Sequence, residues 1–84
     1  MYTQGDYNFY SKQALYIMEC KYSNPKIRVK CFTDLKQDIQ EYIELNNEDI
    51  KEYRKNLLKE FKGLLFVIND ELKKNQLIID RNKT

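Results

Sequence analysis

Apolar residues recur at helical spacing through the C-terminal half of the chain. The series is Ile50, Tyr53, Leu57, Phe61, Leu64, Ile68 and Leu72. Spacings of three and four residues place such positions on one face of a helix, and the phase is kept across Gly63. The pattern predicts one long helix over 48–74. The alternative ends the helix at Gly63 and makes 64–68 a strand that pairs with 76–80.

The middle of this series is apolar on every side. Its consecutive residues are Leu64, Leu65, Phe66, Val67 and Ile68. A helix that is hydrophobic all round has to be buried all round. A domain of this size buries only about 60–65% of the surface of its unfolded chain, so a second chain often covers the rest. We therefore expect these five residues to form a seam with a partner, and expect a homodimer.

A shorter helix is predicted before the long one. Thr33 suits an N-cap, and Asp34 places a carboxylate in the first turn, where the helix dipole favours it. Apolar residues then recur at one helical face at Leu35, Ile39, Tyr42 and Ile43. These features predict a helix over 34–45.

Residues 14–32 alternate between apolar and polar positions. Tyr16, Met18, Cys20 and Tyr22 form one set, and Ile27, Val29 and Cys31 form another after Ser-Asn-Pro-Lys. Alternation on both sides of a turn at Pro25-Lys26 predicts a β-hairpin over 14–32. With 1–13 as a flexible or strand-like arm and 76–84 as a terminal segment with a short strand, the chain is predicted to be a single α+β domain, ββαα.

The predicted hairpin has one basic face. Its members are Lys21, Lys26, Arg28 and Lys30, with Tyr7 and Tyr10 nearby as aromatic contacts. Positive charge beside aromatic rings is typical of surfaces that hold nucleic acid, so these six residues are candidate contacts for a partner or a nucleic acid. Cys20 would oppose Cys31, but directly opposed hairpin cysteines have awkward geometry and a reducing compartment keeps them as thiols.

Composition narrows the class of protein. A third of the 84 residues are charged, yet the formal net charge is only +2, which does not indicate a polyanion-coating protein. No run approaches the ~18 apolar residues of a membrane span, and the N-terminus lacks a secretory pattern, so we expect a cytoplasmic protein. Lys outnumbers Arg twelve to three, and Asn and Ile are abundant. This bias is typical of AT-rich genomes, including phages and mobile elements.

The sequence offers little for catalysis or cofactor binding. It contains no histidine, its two cysteines are eleven residues apart, and its two glycines stand alone. Without histidine the chain lacks the commonest general base, so we expect no enzyme. Its cysteine spacing matches no zinc motif and it has no glycine-rich phosphate loop, so we expect no metal and no cofactor. The apolar stripe of the shorter helix is flanked by three carboxylates, Asp34, Asp38 and Glu41. Such residues could bind a cation or a basic partner, or could form a solvated helical face. Without loop carbonyls, a metal site is not indicated.

The most consistent function is that of a small, non-catalytic protein-binding module. We expect an inhibitor or regulator that occupies the surface of a larger protein, of the anti-defence type that phages and mobile elements encode. Its basis is apolar area that one hairpin and one short helix would leave uncovered. The alternative is a nucleic-acid-binding regulator that uses the basic face of the hairpin.

Overall fold

Three helices account for nearly all of the chain that the structure describes. The computed structural model describes residues 2–19, 24–46 and 52–81. Helix α1 is Gln4–Glu19, α2 is Pro25–Leu45 and α3 is Glu52–Arg81. These ranges contain no strand, so the predicted α+β class, with its small ββαα domain, is wrong. At 1.5 Å per residue α3 is about 45 Å long, which matches the 50 Å longest dimension of the molecule.

The predicted β-hairpin is replaced by the end of α1 and the start of α2. Asn24 is the N-cap of α2, because its side-chain Oδ1 accepts a hydrogen bond from the backbone N–H of Lys26 at 3.0 Å. Pro25 is the first helical residue, where its fixed φ and missing N–H are tolerated. The same dipeptide suits a β-turn, which is why the turn prediction was wrong. Residues 20–23 of the predicted hairpin lie outside the described residues.

Helix α2 begins well before the predicted residue 34. Thr33, the predicted N-cap, lies inside the helix, and its hydroxyl donates to the carbonyl oxygen of Val29 at 2.7 Å. Phe32, Leu35 and Ile39 are buried at spacings of three and four residues. The helix ends at Leu45, where the backbone N–H of Asn46 donates to carbonyls of the last turn.

Helix α1 occupies the region predicted to be an arm and the first hairpin strand. The hydroxyl oxygen of Thr3 accepts from the backbone N–H of Asp6 at 3.1 Å, which caps the helix. Its inward residues are Tyr7, Tyr10, Ala14 and Ile17. This spacing of three, four and three was a helical signal in the sequence, but Phe9 and Tyr16 on the outer faces obscured it.

Helix α3 continues through Gly63 and through the predicted terminal strand at 76–80. No described glycine has a positive φ, so Gly63 does not form the left-handed cap that ends many helices. A Cβ at Gly63 would meet nothing within 4 Å, so neither a turn nor a close approach requires glycine there. The inward residues of α3 are Phe61, Leu64, Ile68, Asn75 and Ile79.

The core lies where α2 and α3 pack along each other and α1 covers both. Its largest fully buried side chains are Phe32, Ile39, Phe61 and Ile68. At one end of the core an aromatic cluster surrounds Phe61, with ring centroids 5.0–6.2 Å from it, and consists of Tyr2, Tyr7, Tyr10 and Tyr42. Edge-to-face and tilted ring pairs at these distances stabilise a fold by more than the burial of their apolar area alone. The cluster joins all three helices.

Candidate functional site

A groove of about 620 Å³ runs between α1 and α2. Other grooves, between α2 and α3 and between α1 and α3, measure about 450 Å³ each. Phe9 and Tyr16 are seven residues apart on α1, and Cys31 and Leu35 are four apart on α2, so each pair shares a helical face. The two faces meet along the groove.

The groove has an apolar floor and aromatic edges. Leu35 is buried in the floor, and Ile17 and Cys31 are half-buried beside it. Phe9 is 58% exposed and Tyr16 is 67% exposed. Apolar side chains of this size, exposed around an apolar depression, are a common feature of surfaces that bind another protein.

The exposed ring of Phe9 is backed by the aromatic cluster. Its centroid lies 5.4 Å from that of Tyr10 in an edge-to-face arrangement. Tyr10 in turn lies 5.7 Å from Tyr42 and 6.2 Å from Phe61. A ring supported in this way loses little conformational freedom when a partner contacts it, which favours binding.

Charged residues line the two sides of the groove unequally. Lys12 lies on the α1 side, and Asp34 and Asp38 lie on the α2 side. None of these three forms an ion pair with another described residue. Burial raises the pKa of the Tyr10 hydroxyl, and the negative charges of Asp38, Asp6 and Glu41 raise it further. These carboxylates therefore lie close enough to Tyr10, whose ring contacts Phe9 at the edge of the groove, to disfavour its ionisation.

A hydrogen-bonded network fixes the two walls of the groove at their shared end. The Tyr42 hydroxyl donates to Oδ2 of Asp6 at 2.8 Å and accepts from the backbone N–H of Thr3 at 3.2 Å. The Tyr2 hydroxyl donates to the carbonyl oxygen of Ile43 at 3.1 Å. These bonds connect the first turn of α1, and the two residues before it, to the last turns of α2.

The Tyr42 hydroxyl gives this network a measurable dependence on pH. Burial, followed by the hydrogen bond to Asp6, raises the pKa of Tyr42 from 10.0 to about 12. Because the unfolded chain ionises first, the stabilisation is complete below about pH 10 and is lost as the pH rises toward about 12. Tyr42→Phe should make that alkaline loss shallower, and it should lower the free energy of unfolding at neutral pH by about 1–2 kcal/mol. Urea unfolding monitored by circular dichroism across this pH range measures both effects.

Tyr7→Phe is the matched control for this prediction. Its ring packs 5.5 Å from Phe61, but its hydroxyl makes no hydrogen bond within the described part of the chain. It should change the free energy of unfolding by less than about 0.5 kcal/mol. Equal losses in the two variants would show that the Tyr42 hydroxyl does not join the helices.

The structure does not bring the residues of the predicted basic face together on one surface. Lys26 and Lys30 are exposed four residues apart on α2, whereas Arg28 is half-buried on a different side of that helix. Tyr7 and Tyr10 lie within the aromatic cluster around Phe61. Lys21 lies outside the described residues, as does Cys20, and Cys31 is a free thiol.

The predicted seam divides between the core and the surface. Leu64 and Ile68 are buried within the bundle, and Leu65 is half-buried. Phe66 is 75% exposed and Val67 is 42% exposed. Phe9 and Tyr16 are not among the site residues predicted from the sequence, because their seven-residue spacing marks a shared face only if residues 4–19 form a helix.

Within the described ranges, no three His, Cys, Asp or Glu side chains lie close enough to hold a metal ion together. Of the helices in those ranges, none combines the length and the apolar content needed to cross a membrane. Comparisons with protein-family models, with curated proteins and with solved structures find no match to this chain.

Proposed function

We propose that this protein is a non-catalytic binding module that seats a segment of a larger protein in the α1–α2 groove. It acts in the cytoplasm as an inhibitor or regulator, by steric occupation of its partner. The observation that carries the proposal is the pair of exposed aromatic side chains, Phe9 and Tyr16, beside an apolar floor. Aromatic side chains that enter a partner's surface supply a large share of binding energy in protein interfaces.

The rigidity of the groove supports this function. The aromatic cluster holds Phe9, and the Tyr42 network holds the walls together. A preformed site avoids part of the ordering cost of association. Cys31 in the groove has no histidine to activate it, because the chain contains none, so a binding role explains the groove better than nucleophilic catalysis.

The composition supports the narrower proposal of a phage or mobile-element origin. The excess of Lys over Arg and the abundance of Asn and Ile are typical of AT-rich genomes. A small protein of such origin that blocks a host enzyme or defence protein would need only a binding surface. The nucleic-acid alternative depended on a β-ribbon, and the described residues contain no strand.

Paired variants test the groove. The tagged protein is used to capture partners from source cells, captured proteins are identified by mass spectrometry, and affinity for the main partner is then measured. The double variant Phe9→Ala, Tyr16→Ala should weaken that affinity by about 30-fold or more, because each anchor is worth about 1–2 kcal/mol. The control Phe66→Ala, Leu77→Ala removes two exposed apolar side chains from α3, outside the groove, and should bind normally.

Labelling of Cys31 supplies a second readout. In a Cys20→Ser background, a thiol reagent should modify Cys31 more slowly once the partner is bound, because Cys31 lines the groove. Equal affinity in the groove and control variants, together with unchanged labelling, would show that the partner binds elsewhere.

A further inference from the structure

The two sides of the α1–α2 groove differ in charge, and a molecule that binds there would need a complementary distribution of charge. Asp34 and Asp38 are four residues apart on the α2 side, and exposed Glu41 follows them one turn later. The α1 side contributes Lys12. Lys30 precedes Asp34 by one turn on α2 but forms no ion pair with it. One side of the groove is therefore mainly acidic, and Asp34 and Asp38 form no ion pair with any residue that the structure describes.

The shape of the groove favours a helical occupant. The residues that line it span Phe9 to Ile17 on one wall and Cys31 to Asp38 on the other, about 10–12 Å or two helical turns on each. A helix laid in such a groove presents apolar anchors at positions i, i+3 or i+4, and i+7. A peptide that binds by strand addition would need a sheet edge for its backbone, and the described residues form no sheet.

We propose that the occupant is an amphipathic helix of the partner protein, whose apolar stripe contacts Phe9, Tyr16 and Ile17 and whose basic flank faces Asp34 and Asp38. This inference rests on the proposed function and specifies the chemistry of the partner. The bound helix would become the fourth of a bundle, at the usual interaxial distance of about 8–10 Å from α1 and α2. Lys12 would face the other flank of the bound helix. Because the two sides of the groove differ in charge, the helix should bind with its basic flank toward α2 and not the other way round.

Electrostatic and apolar contacts have separate roles in this complex. The apolar stripe supplies most of the affinity, because exposed ion pairs contribute little individually. The acidic side of the groove discriminates between partner helices, since a helix with an acidic flank would be repelled. Burial first, and then the charges of Asp38, Asp6 and Glu41, raise the pKa of Tyr10, whose ring contacts Phe9 at the edge of the groove.

Two synthetic helical peptides test the inference on the intact chain. Both carry leucines at i, i+3, i+4 and i+7, but one has lysines along both flanks and the other has glutamates. Fluorescence anisotropy should show about tenfold tighter binding of the lysine peptide, and added salt should reduce the difference. The double variant Asp34→Lys, Asp38→Lys should reverse the preference, so that the glutamate peptide binds more tightly.

The matched control is Asp70→Lys, Asp80→Lys. It changes the net charge by the same amount, from +2 to +6, but on exposed residues of α3 outside the groove. The lysine peptide should remain the tighter ligand for this variant. If both double variants alter the preference equally, net charge alone selects the peptide and the inference is wrong.

The remaining outcomes separate this inference from the proposed function. If neither peptide binds but Phe9→Ala, Tyr16→Ala still abolishes partner capture, the groove is the binding site and the basic helix is wrong. If partner capture also survives that variant, both proposals fail. If sedimentation shows self-association that Asp34→Lys, Asp38→Lys abolishes, the occupant is a second copy of this chain, and the assignment to a partner protein is overturned.

Discussion

Phe61→Ala is expected to remove a large part of the free energy of unfolding and so to lower the urea midpoint strongly. Phe61 is fully buried, and its ring contacts the four tyrosines of the aromatic cluster. Replacing a buried phenylalanine with alanine costs about 3–5 kcal/mol, through lost burial and the cavity left behind. A chain of this length has a total stability of roughly 4–12 kcal/mol, so this single loss is a large part of it.

The cost should be high because the cavity at Phe61 cannot easily collapse. The surrounding tyrosines come from α1, from α2 and from the residues just before α1, and two of them are held by hydrogen bonds at their hydroxyls. Rings fixed in this way cannot move inward to fill the space. Loss of near-ultraviolet circular dichroism and a lower urea midpoint would measure the effect.

Phe66→Ala is the matched control, since it makes the same chemical change five residues along the same helix. Phe66 is 75% exposed, so its removal should alter the free energy of unfolding by less than about 0.5 kcal/mol. If the two variants are equally stable, the packing of α3 described above is wrong, because a different face of the helix would have to be buried.

Ile68→Asp should be at least as damaging. Ile68 is fully buried in the main core cluster, which includes residues of α1 and α2, and the described core offers no basic side chain to pair with a carboxylate there. A buried, unpaired charge costs several kcal/mol in addition to the lost apolar contact, so the variant should not fold. Far-ultraviolet circular dichroism should show mostly unfolded chain.

Val67→Asp is the neighbouring control and also tests the predicted seam. Val67 is 42% exposed and lies beside the groove between α1 and α3, so an aspartate there can reach water. The variant should fold with a loss of about 1 kcal/mol or less. If the wild-type chain is a dimer and Val67→Asp is a folded monomer, the exposed part of the seam is the dimer interface. Sedimentation of both chains at matched concentrations decides this.

The helical phase of α3 was readable from the sequence because its apolar residues are large and spaced by three and four. Phe61, Leu64 and Ile68 keep that spacing on either side of Gly63, and all three are buried. The end of α2 was readable too, because Asn46-Asn47 interrupts its apolar face. Burial drives the helical stability of an amphipathic segment, so a strong periodic pattern survives one glycine.

The prediction for the first third of the chain was wrong because its local sequence is compatible with both a β-hairpin and a helix. Asn24-Pro25 can begin a turn or cap a helix, and the alternation around Tyr16 and Met18 is short enough to fit either period. The helical stripe of α1 consists of two tyrosines, one alanine and one isoleucine, which is a weak apolar signal. Contact with the aromatic cluster, a long-range effect, selects the helix.

The candidate site was even less accessible from the sequence. Phe9 and Tyr16 belong to one helix and Cys31 and Leu35 to another, so their association depends on how two helices pack. The sequence did place Asp34, Asp38 and Glu41 beside an apolar stripe, which is the part of the site that lies on a single helix. It could not show that Phe9 and Tyr16 of α1 lie across the groove from these carboxylates.

The sequence by itself determined the chemistry that is available and the long amphipathic helix. It excluded histidine-dependent catalysis, and its apolar spacing defined the inward face of α3, because both properties are local. Only the tertiary structure decided that residues 4–19 are helical, that Phe61 joins the helices, and that an apolar groove with one acidic side opens between α1 and α2. These features depend on contacts between residues distant along the chain, where packing outweighs weak local preference.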